Sequence, residues 1–569
     1  MATESFFSNA SLAYLASAGA GKDGKTYSIK PTDGSGDFTF SRGSNLAATR
    51  VGPTGLIEKG RENLLLQSNT FSNASWLKEL GTTLTSGQSG YDGSSDAWLL
   101  DTDGTQFSRL RQTLSSNGVQ TFSIYAKAGT LDWIGLYNGG ASGNAFFDLN
   151  NGVTGNSNAI IDTSITSVGN GWYRCEYSSN QSITDVRIYL TDANGTFTTT
   201  AGNIYIQDAQ LEIGLAATEV ITTGATTGKA GLLEDEPRFD YSGGATCPSL
   251  LLEPSRTNLI GQSEYLGGWQ IPANYTNTTT TDKQGIQVKS IYGRAIHKSI
   301  IVTSGETHSV SFYAKKDTWE FFFINTQNWD SSATGYTWFN LATGNVGTAS
   351  PNHGTPTMTP EGNGWYRCTI YFSSTTDLSG NIVGGIVESN GSYTLGTNDQ
   401  ESAFFTMAQV EEGSYPTSYI PNHSGGSVTR GADGISKDLT SVVNGNQMTM
   451  FLDLKSHISI GTQTNALWGD LRWYHKSNNR ILFYKNDDAI NIGGDITING
   501  RTKIALSITT TDAKVFVNGS QVYTTSLPTP FVDFGELIYE ILNSKEEWNQ
   551  FLIFSTPLSD ADCINITSL

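Results

Sequence analysis

The sequence contains few of the side chains that form disulfide frameworks or thiolate metal sites. Its 569 residues include four cysteines, and no two of them form a C-x-x-C pair: Cys175, Cys247, Cys368 and Cys563. A disulfide scaffold needs a much higher density of cysteine, and a metal site needs closer spacing. We therefore expect buried free thiols, which fit a protein assembled in a reducing cytosol, and no bound cofactor.

Recognisable catalytic motifs are also missing. The six histidines all lie at position 297 or later, and the sequence has no H-E-x-x-H, G-x-S-x-G or P-loop spacing. Aspartate and glutamate are plentiful, so a carboxylate pair suited to glycoside hydrolysis stays open as an alternative. The expectation is a protein that binds rather than catalyses.

Positive charge and long apolar runs are scarce as well. Lys and Arg total 34 against 53 Asp and Glu, which gives a formal net charge of −19. Such a chain repels phosphate backbones, so we expect no nucleic-acid partner. No run of 18 apolar residues is present, and the N-terminus lacks a basic start followed by an apolar stretch. We expect neither membrane insertion nor a secretory signal.

The residues that are abundant indicate an all-β protein. Gly alone accounts for 62 residues, and aromatic residues make up 11% of the chain. Most aromatics sit in short alternating runs bounded by Gly, Asn, Asp or Ser, the pattern of short strands and tight turns. Helix-like pieces are short, at 536–542 and 559–566. A length of 569 residues predicts three or four domains.

An internal duplication organises the first three quarters of the chain. Four segments recur about 195 residues later: NLLLQS (63–68) as NLIGQS (258–263), TFSIYAKAG (121–129) as SVSFYAKKD (309–317), VGNGWYRCEY (168–177) as EGNGWYRCTI (361–370), and AQLEIG (209–214) as AQVEEG (408–413). A period of this length indicates two homologous domains rather than a solenoid. Short strands joined by turns over this length suggest jelly-roll sandwiches.

The pattern changes after residue 433. MTMFLDL (448–454), KIALSI (503–508) and KVFV (514–517) alternate like strands, and the Asn518-Gly519 step predicts a two-residue hairpin. We divide the chain into an N-terminal segment (1–47), module 1 (48–230), module 2 (231–430) and a third module (431–569).

Several of these segments resemble known families. FTFSRGSNLAATRV (38–51), GLIEKGRENLLLQSN (55–69), residues 236–260 and residues 409–433 resemble segments of tail fibres and other structural proteins of tailed bacteriophages. The two repeats resemble the jelly-roll carbohydrate-binding modules that accompany xylanases and cellulases. KIALSITTTDAKVFVNGSQVYTTSLP with FLIFSTPLSDADC resembles a concanavalin A/laminin-G-like lectin domain.

The resemblance implies a virion protein, made in the host cytoplasm, that adheres to a host surface glycan. It also implies a homotrimer. Residues 1–47 precede the first repeat and match neither copy well, so we expect this segment to dock onto other virion proteins or to pack within the virion. A tail fibre or receptor-binding protein is the first interpretation; a head fibre or capsid decoration protein and a polysaccharide depolymerase are the alternatives. Such modules also often carry a structural calcium ion, and Asp101-Thr102-Asp103-Gly104 resembles the start of a calcium loop, with a solvated turn as the other interpretation.

Candidate glycan contacts follow from strand alternation within the duplication. Phe122, Ile124 and Ala126 should face the core, so their neighbours point the other way. The residues that recur on this opposite face are Tyr125, Trp172 and Arg174 in module 1, and Tyr313, Trp365 and Arg367 in module 2. In the third module, Trp473 and Tyr474 form an aromatic cluster with Trp468 and His475. The alternative is that these side chains pack structurally, as a duplication also retains residues needed for folding.

Overall fold

The protein is built almost entirely of antiparallel strands. The structure, a computed structural model, describes residues 4–43, 46–269, 275–279, 286–290, 296–376, 379–392, 402–443, 445–458, 463–476, 480–486, 490–494, 496–498, 500–532, 534–540 and 544–568. Over these residues the predicted all-β class is confirmed, with two tandem jelly-roll sandwiches and a third β-sandwich.

The strands follow the chain in five stretches. The N-terminal stretch contains α1 (Glu4–Asn9), β1 (Leu12–Leu15), β2 (Gly21–Lys22), β3 (Lys25–Thr26) and β4 (Phe38–Ser41). Module 1 contains β5 (Thr49–Val51), β6 (Ile57–Lys59), β7 (Arg61–Asn63), β8 (Leu77–Glu79), β9 (Thr82–Gln88), β10 (Ala97–Asp103), β11 (Arg109–Ser116), β12 (Val119–Ala128), β13 (Trp133–Gly139), β14 (Asn144–Asp148), β15 (Val153–Asn158), β16 (Asp162–Gly169), β17 (Trp172–Asn180), β18 (Ile183–Thr191), β19 (Ala201–Ile213) and β20 (Gly228–Ala230).

The connecting segment contains β21 (Arg238–Asp240) and β22 (Ser249–Leu252). Module 2 contains β23 (Arg256–Asn258), β24 (Tyr275–Thr279), β25 (Ile286–Ser290), β26 (Ile296–Ile301), β27 (Thr307–Lys316), β28 (Phe321–Gln327), β29 (Gly335–Asn340), β30 (Asn345–Ala349), β31 (Thr357–Pro360), β32 (Trp365–Ser373), β33 (Ser379–Val387), β34 (Ser402–Glu412) and β35 (Val428–Arg430).

The last stretch contains β36 (Gly434–Asp438), β37 (Met448–Ile458), β38 (Gln463–Trp468), β39 (Leu471–Lys476), β40 (Arg480–Lys485), β41 (Ile490–Asn491), β42 (Ile496–Thr497), β43 (Arg501–Ile508), β44 (Asp512–Val517), β45 (Ser520–Ser526), β46 (Glu536–Glu540), β47 (Ser544–Phe554) and α2 (Asp560–Ser568). Short 3₁₀ turns lie at Ala16–Ala18, Ser242–Gly244, Leu266–Gly268 and Pro351–His353.

Modules 1 and 2 share one strand order. The front sheet runs β9-β10-β19-β12-β17-β16 in module 1 and β24-β25-β34-β27-β32-β31 in module 2. The back sheet runs β8-β11-β18-β13-β14-β15 in module 1 and β26-β33-β28-β29-β30 in module 2. The order matches strand by strand, with β8 as an additional edge in module 1, so the duplication inferred from sequence is a duplication of the whole sandwich.

Strand alternation places the cores as expected. Phe122, Ile124 and Ala126 lie inside module 1 with Cys175, and module 2 buries the equivalent Val310, Phe312, Ala314 and Cys368. Burial of each of the Phe, Ile and Val side chains contributes about 1.5–3 kcal/mol to the hydrophobic stabilisation. The expectation of buried thiols is wrong for Cys247, which is exposed because it lies in the turn between β21 and β22; the other three are buried.

The third sandwich is assembled from three separate stretches of the chain. β1 pairs with β47, and β22 continues along the same edge of β47. In the opposite sheet β4 pairs with β36. The shared core therefore includes Tyr14, Phe38 and Phe40 beside Trp473 and Trp548. The linear division placed residues 1–47 and the start of module 2 outside the third module, whereas in space they complete its two sheets.

Both helices cover the outer face of one of these sheets. Phe6 lies on α1, and Cys563 and Ile566 lie on α2. All three side chains belong to one apolar cluster with Phe451 and Leu552 of the sheet. The predicted helix at 559–566 is confirmed, but the one at 536–542 is wrong for 536–540, which form β46; residues 541 and 542 lie outside the described part. Leu537 and Tyr539 point into the core at a period of two, which only a strand provides.

Among the described residues, no helix is long and apolar enough to cross a lipid bilayer.

Candidate functional site

The duplicated Tyr, Trp and Arg residues lie on the outward face of each front sheet, as alternation predicts. Tyr125 lies opposite Arg174 across β12 and β17, and Lys127 lies opposite Trp172. The second copy keeps this register between β27 and β32. In both copies the guanidinium stacks on the tyrosine ring, at 5.4 Å from Arg174 to Tyr125 and 5.5 Å from Arg367 to Tyr313.

Each arginine also holds a segment that crosses this face after the last sandwich strand. We call residues 215–223 and 414–422 the return segments. Arg174 donates to the carbonyl of Thr218 at 2.5 Å, and Arg367 donates to the carbonyl of Thr417 at 2.7 Å. The two arginines are therefore fold anchors that tie each return segment to its sheet.

The repeated A-Q-x-E motif completes this anchor, a role that sequence reasoning missed. In module 1 the Gln210 amide oxygen accepts from the backbone of Ile221 at 2.7 Å, and Glu212 accepts from the backbone of Thr218 at 2.8 Å. The same contacts recur in module 2 from Gln409 and Glu411. The signal was present in the sequence, because alternation puts Gln and Glu on the same outward face as Tyr and Arg.

In module 1 the outward aromatic face is covered by the module's own side chains. Tyr91 stacks on Tyr125 with ring centroids 3.7 Å apart and planes 5° from parallel. Trp172 packs edge-on against Tyr91 and is 1% exposed. This geometry favours the packing interpretation for Tyr125, Trp172 and Arg174, and a sugar contact at these positions stays a prediction.

In module 2 the same face opens into a cleft. Trp365 is 1% exposed and packs with Tyr313 and Met407, which again favours packing. Tyr313 and Arg367, however, line the floor of a cleft of about 440 Å³. The structure thus brings two of the predicted residues to a solvent-connected concavity and leaves Trp365 beneath it.

Five parts of the chain wall this cleft. The module 2 front sheet supplies Tyr313, Thr357, Thr359, Glu361, Arg367, Thr369 and Tyr371. The return segment adds Tyr415, Pro416, Ser418 and Tyr419. The remaining wall comes from β5 and β6 of module 1, from the connecting segment (β21, the turn after it and β22), and from Lys455, Lys545 and Glu547 of the third sandwich. The cleft exists because module 2 is packed against both of its neighbours.

The cleft is polar, aromatic and nearly balanced in charge. Lys455 pairs with Glu547 at 3.1 Å, and Arg50 pairs with Glu58 at 2.8 Å. Burial raises the pKa of Tyr371, and a hydrogen bond to Thr357 only partly opposes it. The phenol is therefore neutral at physiological pH and able to donate and accept hydrogen bonds. Tyrosine rings, threonine hydroxyls and paired charges suit a polyhydroxylated ligand.

In the third sandwich the two predicted residues separate. Trp473 is 3% exposed and packs in the core against Tyr539 and Trp548, so its position favours packing. Tyr474 lies on the other face, half-buried, and contacts Tyr484 edge-on at 5.9 Å. The side chains of Trp468 and His475 lie outside the described part.

The predicted calcium-loop fragment forms the end of β10. Asp103 accepts from the backbone of Thr105 at 2.9 Å, and Gly104 occupies a left-handed turn, as in a solvated turn. Across the described ranges, no group of three or more His, Cys, Asp or Glu side chains is arranged to hold a metal ion.

A buried ionic network lies behind the cleft and joins its walls. Arg238 and Arg430 both donate to the Glu253 carboxylate, at 2.7 and 2.9 Å, and Arg238 also donates to Asp433. The Arg42 guanidinium approaches Asp433 at 3.5 Å, and all five side chains are at most 1% exposed. Burial opposes ionisation of Glu253, but the two arginines outweigh it and hold the carboxyl pKa well below its usual range.

A second polar cluster joins module 1 to module 2. The Lys59 ammonium donates to His423 Nε2 at 3.2 Å and lies 3.4 Å from Glu264. The His423 carbonyl accepts from the backbone of Val119 at 3.1 Å. Burial lowers the pKa of His423 to about 4, with Glu264 opposing the shift and Lys59 reinforcing it.

Comparison with known proteins finds only low-scoring similarity to solved structures. No protein-family model and no curated protein sequence matches the chain. Among solved structures, the N-terminal CBM22-1-CBM22-2 tandem domain from Paenibacillus barcinonensis Xyn10C is 10% identical, with 65% of this chain and 98% of that chain covered, at a TM-score of 0.21. Trypanosoma rangeli sialidase is 9% identical, with 98% of each chain covered, at a TM-score of 0.20. Scores this low carry no argument about the fold or the site.

Proposed function

We propose that the protein is a non-catalytic glycan-binding component of a tailed-phage virion, and that the cleft of module 2 holds the glycan. Adhesion to a host surface would then sum weak contacts over several clefts, because linked sites act at high effective concentration.

The composition of the cleft carries the binding part of this proposal. Tyr371 and Tyr415 are half-buried at its wall, so each offers an aromatic surface and a hydroxyl. Thr357 and Thr359 are exposed on the adjoining strand β31. Sugar rings present apolar C–H faces beside hydroxyl groups, and this combination of aromatic and hydroxyl side chains matches both. A volume of about 440 Å³ is within the range of small-ligand sites.

The virion part is supported by where the phage-like segments lie. Residues 38–51, 236–260 and 409–433 supply Arg42, Arg238, Glu253, Arg430 and Asp433 to the buried network. The same segments supply three walls of the cleft. The resemblance therefore concerns the segments that assemble the site rather than incidental linkers.

A binding experiment on the whole chain tests the glycan proposal. Purified protein is screened on an array of bacterial surface glycans, and the best neutral ligand is titrated by calorimetry. Tyr371→Ala should weaken this ligand about tenfold or more, as expected for loss of a central aromatic contact. Tyr205→Ala, a half-buried tyrosine on the equivalent sheet of module 1, is the matched control and should change affinity less than twofold. Equal loss in both variants, or no ligand at all, would refute the cleft assignment.

Two further measurements test the remaining parts. The chain length of the bound polysaccharide is followed for a day, and shortening that a single carboxylate substitution abolishes would establish a depolymerase instead. Immunogold labelling of intact particles should place the protein on a tail. Labelling on the capsid would favour the head-fibre alternative, and absence from all particles would exclude the virion role.

A further inference from the structure

The outward face of the module 1 back sheet carries an unusual combination of side chains. We call Arg109, Arg111, Arg187, Tyr137 and Tyr189 the arginine–tyrosine face. These residues alternate with Leu110, Leu136 and Ile188, which point into the core of the module. The face therefore lies on the side of the sandwich away from the front sheet and its return segment. Phe197 packs against Tyr137 and Tyr189, so the partly exposed arginines are the accessible part of the face and the tyrosines support them.

Strand register arranges this face into two rows. The first row runs Glu79, Arg109, Tyr189, Gly135 and Phe146 across β8, β11, β18, β13 and β14. The second row runs Leu77, Arg111, Arg187, Tyr137 and Asn144 across the same strands. Directly opposed residues lie about 5 Å apart and successive rows about 7 Å apart. Arg111 and Arg187 are thus a like-charge pair placed side by side.

The arginines are stacked and only partly neutralised. Arg187 lies 4.9 Å from the Tyr137 ring centre, and Arg109 lies 5.6 Å from that of Tyr189. The Glu79 carboxylate forms ion pairs with the guanidinium groups of both Arg109 and Arg111, at 2.5 and 2.8 Å, and Asp185 pairs with Arg187. Three guanidinium groups therefore share two carboxylates, on a protein whose net charge is −19.

The duplication shows that the fold does not require these residues. The strand pairing that places Arg187 beside Arg111 places Val383 beside His297 in module 2. Tyr189 corresponds in the same way to Gly385, which pairs with Phe323. Val383 is buried under an aromatic cluster with Trp338, whereas the three arginines of module 1 are partly exposed. The anchors Arg174 and Arg367 are kept in both copies, but the arginine–tyrosine face exists in one.

We propose that the arginine–tyrosine face is a second binding site, for a glycan chain that carries carboxylate groups. The planar guanidinium forks match carboxylates in bidentate geometry, and two rows of them can engage successive acidic sugars. Exposed apolar side chains at the margin, Leu77 at 41% and Phe107 at 50% exposed, offer surface for the C–H faces of the rings. Glu79 occupies the forks of Arg109 and Arg111 in the free protein, so the ligand competes with this internal carboxylate.

The test uses the full-length protein and oligogalacturonate as the acidic probe, with a neutral galactan oligosaccharide of equal length beside it. The double variant R111Q/R187V, which introduces the module 2 residue at position 187, should weaken oligogalacturonate about tenfold, and 0.3 M salt should weaken the wild type similarly. Glu79→Gln should strengthen it several-fold, because it removes the competing carboxylate. The double variant K22Q/K25Q, which removes the same charge from the third sandwich, should change affinity less than twofold.

Several outcomes would overturn the proposal. These are no detectable binding of oligogalacturonate by the wild type, an equal loss of affinity for the neutral chain in R111Q/R187V, an unchanged affinity for oligogalacturonate in R111Q/R187V, or weaker oligogalacturonate binding in Glu79→Gln. Equal affinity for a polyphosphate chain would show a simple anion patch without sugar contacts and would also refute it. Glu79→Gln keeps the test decisive if R111Q/R187V unfolds. Tyr371→Ala should leave oligogalacturonate binding unchanged, so this site and the cleft of module 2 fail independently.

Discussion

Substitution of Glu253 tests whether the buried network holds the module 2 junction together. Glu253→Gln keeps the shape of the side chain but removes its charge. The carboxylate accepts from Arg238 and Arg430 and from both the backbone and the hydroxyl of Ser418, at 2.6 to 2.9 Å. In the variant, Asp433 would be the one carboxylate left among the five side chains of the network, beside three buried arginines.

The expected cost follows from the burial of these charges. Removing one partner of a fully buried ion pair typically costs about 3–5 kcal/mol, because the other charge stays desolvated without compensation. For a unit of roughly 150–250 residues, this loss lowers the melting temperature on the order of 10 °C. The third sandwich and module 2 should be affected, since Arg238 belongs to the connecting segment and Arg430 to β35.

The duplication provides a matched control. Glu58 occupies the equivalent place in module 1, but its partner Arg50 is 28% exposed and Glu58 itself is 38% exposed. A surface pair contributes about 0–1 kcal/mol, so Glu58→Gln should shift the melting temperature little. Differential scanning calorimetry of the whole chain resolves the unfolding transitions. If Glu253→Gln costs no more than Glu58→Gln, the reasoning about this network is refuted.

Three further predictions concern other parts of the molecule. Burial lowers the pKa of His423 in the folded protein to about 4, below its unfolded value near 6.5. The unfolded chain therefore binds more protons between these values, and the free energy of unfolding should fall by about 3 kcal/mol as the pH drops from 6.5 to 4. His423→Gln should flatten this dependence in urea unfolding, and an equally steep dependence in the variant would contradict the reasoning. Deleting residues 1–41 removes Tyr14, Phe38 and Phe40 from the core of the third sandwich. Cooperative melting of that sandwich should be abolished, while modules 1 and 2 stay protease-resistant. Intact melting of the third sandwich would contradict the shared core. Trp172→Ala should destabilise module 1 by about 3–5 kcal/mol, measured by denaturant unfolding, and a stable module with altered glycan binding would instead support the ligand interpretation.

The alternation of apolar and polar residues predicted the two sandwiches well, because consecutive residues of a strand point to opposite faces of the sheet. The alternation in 121–127 correctly assigned Phe122 to the core and Tyr125 to the outward face. The same logic failed for the third module, since nothing in the spacing of β1 or β22 indicates that β47 is the partner of both. Pairing over such distances depends on complementary surfaces that no single segment displays.

The candidate site was found only in part for a related reason. Sequence placed Tyr125 and Tyr313 on equivalent outward faces, yet Tyr91 covers the first and a cleft opens beside the second. The side chains that cover a sheet face come from other parts of the chain. The recurrence of a residue in both modules therefore does not show whether it contacts a ligand or holds the fold together. Arg174 and Arg367 recur because both hold a return segment. Arg109, Arg111 and Arg187, which belong to a face that exists only in module 1, are therefore better indicators of a binding site than the residues that recur in both modules.

The shared core of the third sandwich sets the order in which the chain can fold during synthesis. Ser11 donates to Ser555 across a separation of 544 residues. At about 5–20 residues per second, the ribosome completes the last strand roughly half a minute to two minutes after it makes the first. Modules 1 and 2 can close meanwhile, since each contains all strands of its own core. β1 must wait on the nascent chain for its partner β47, and β4, which already pairs with β3, must wait for β36. A product cut short before β47 would therefore carry two finished modules and an exposed, aggregation-prone remainder.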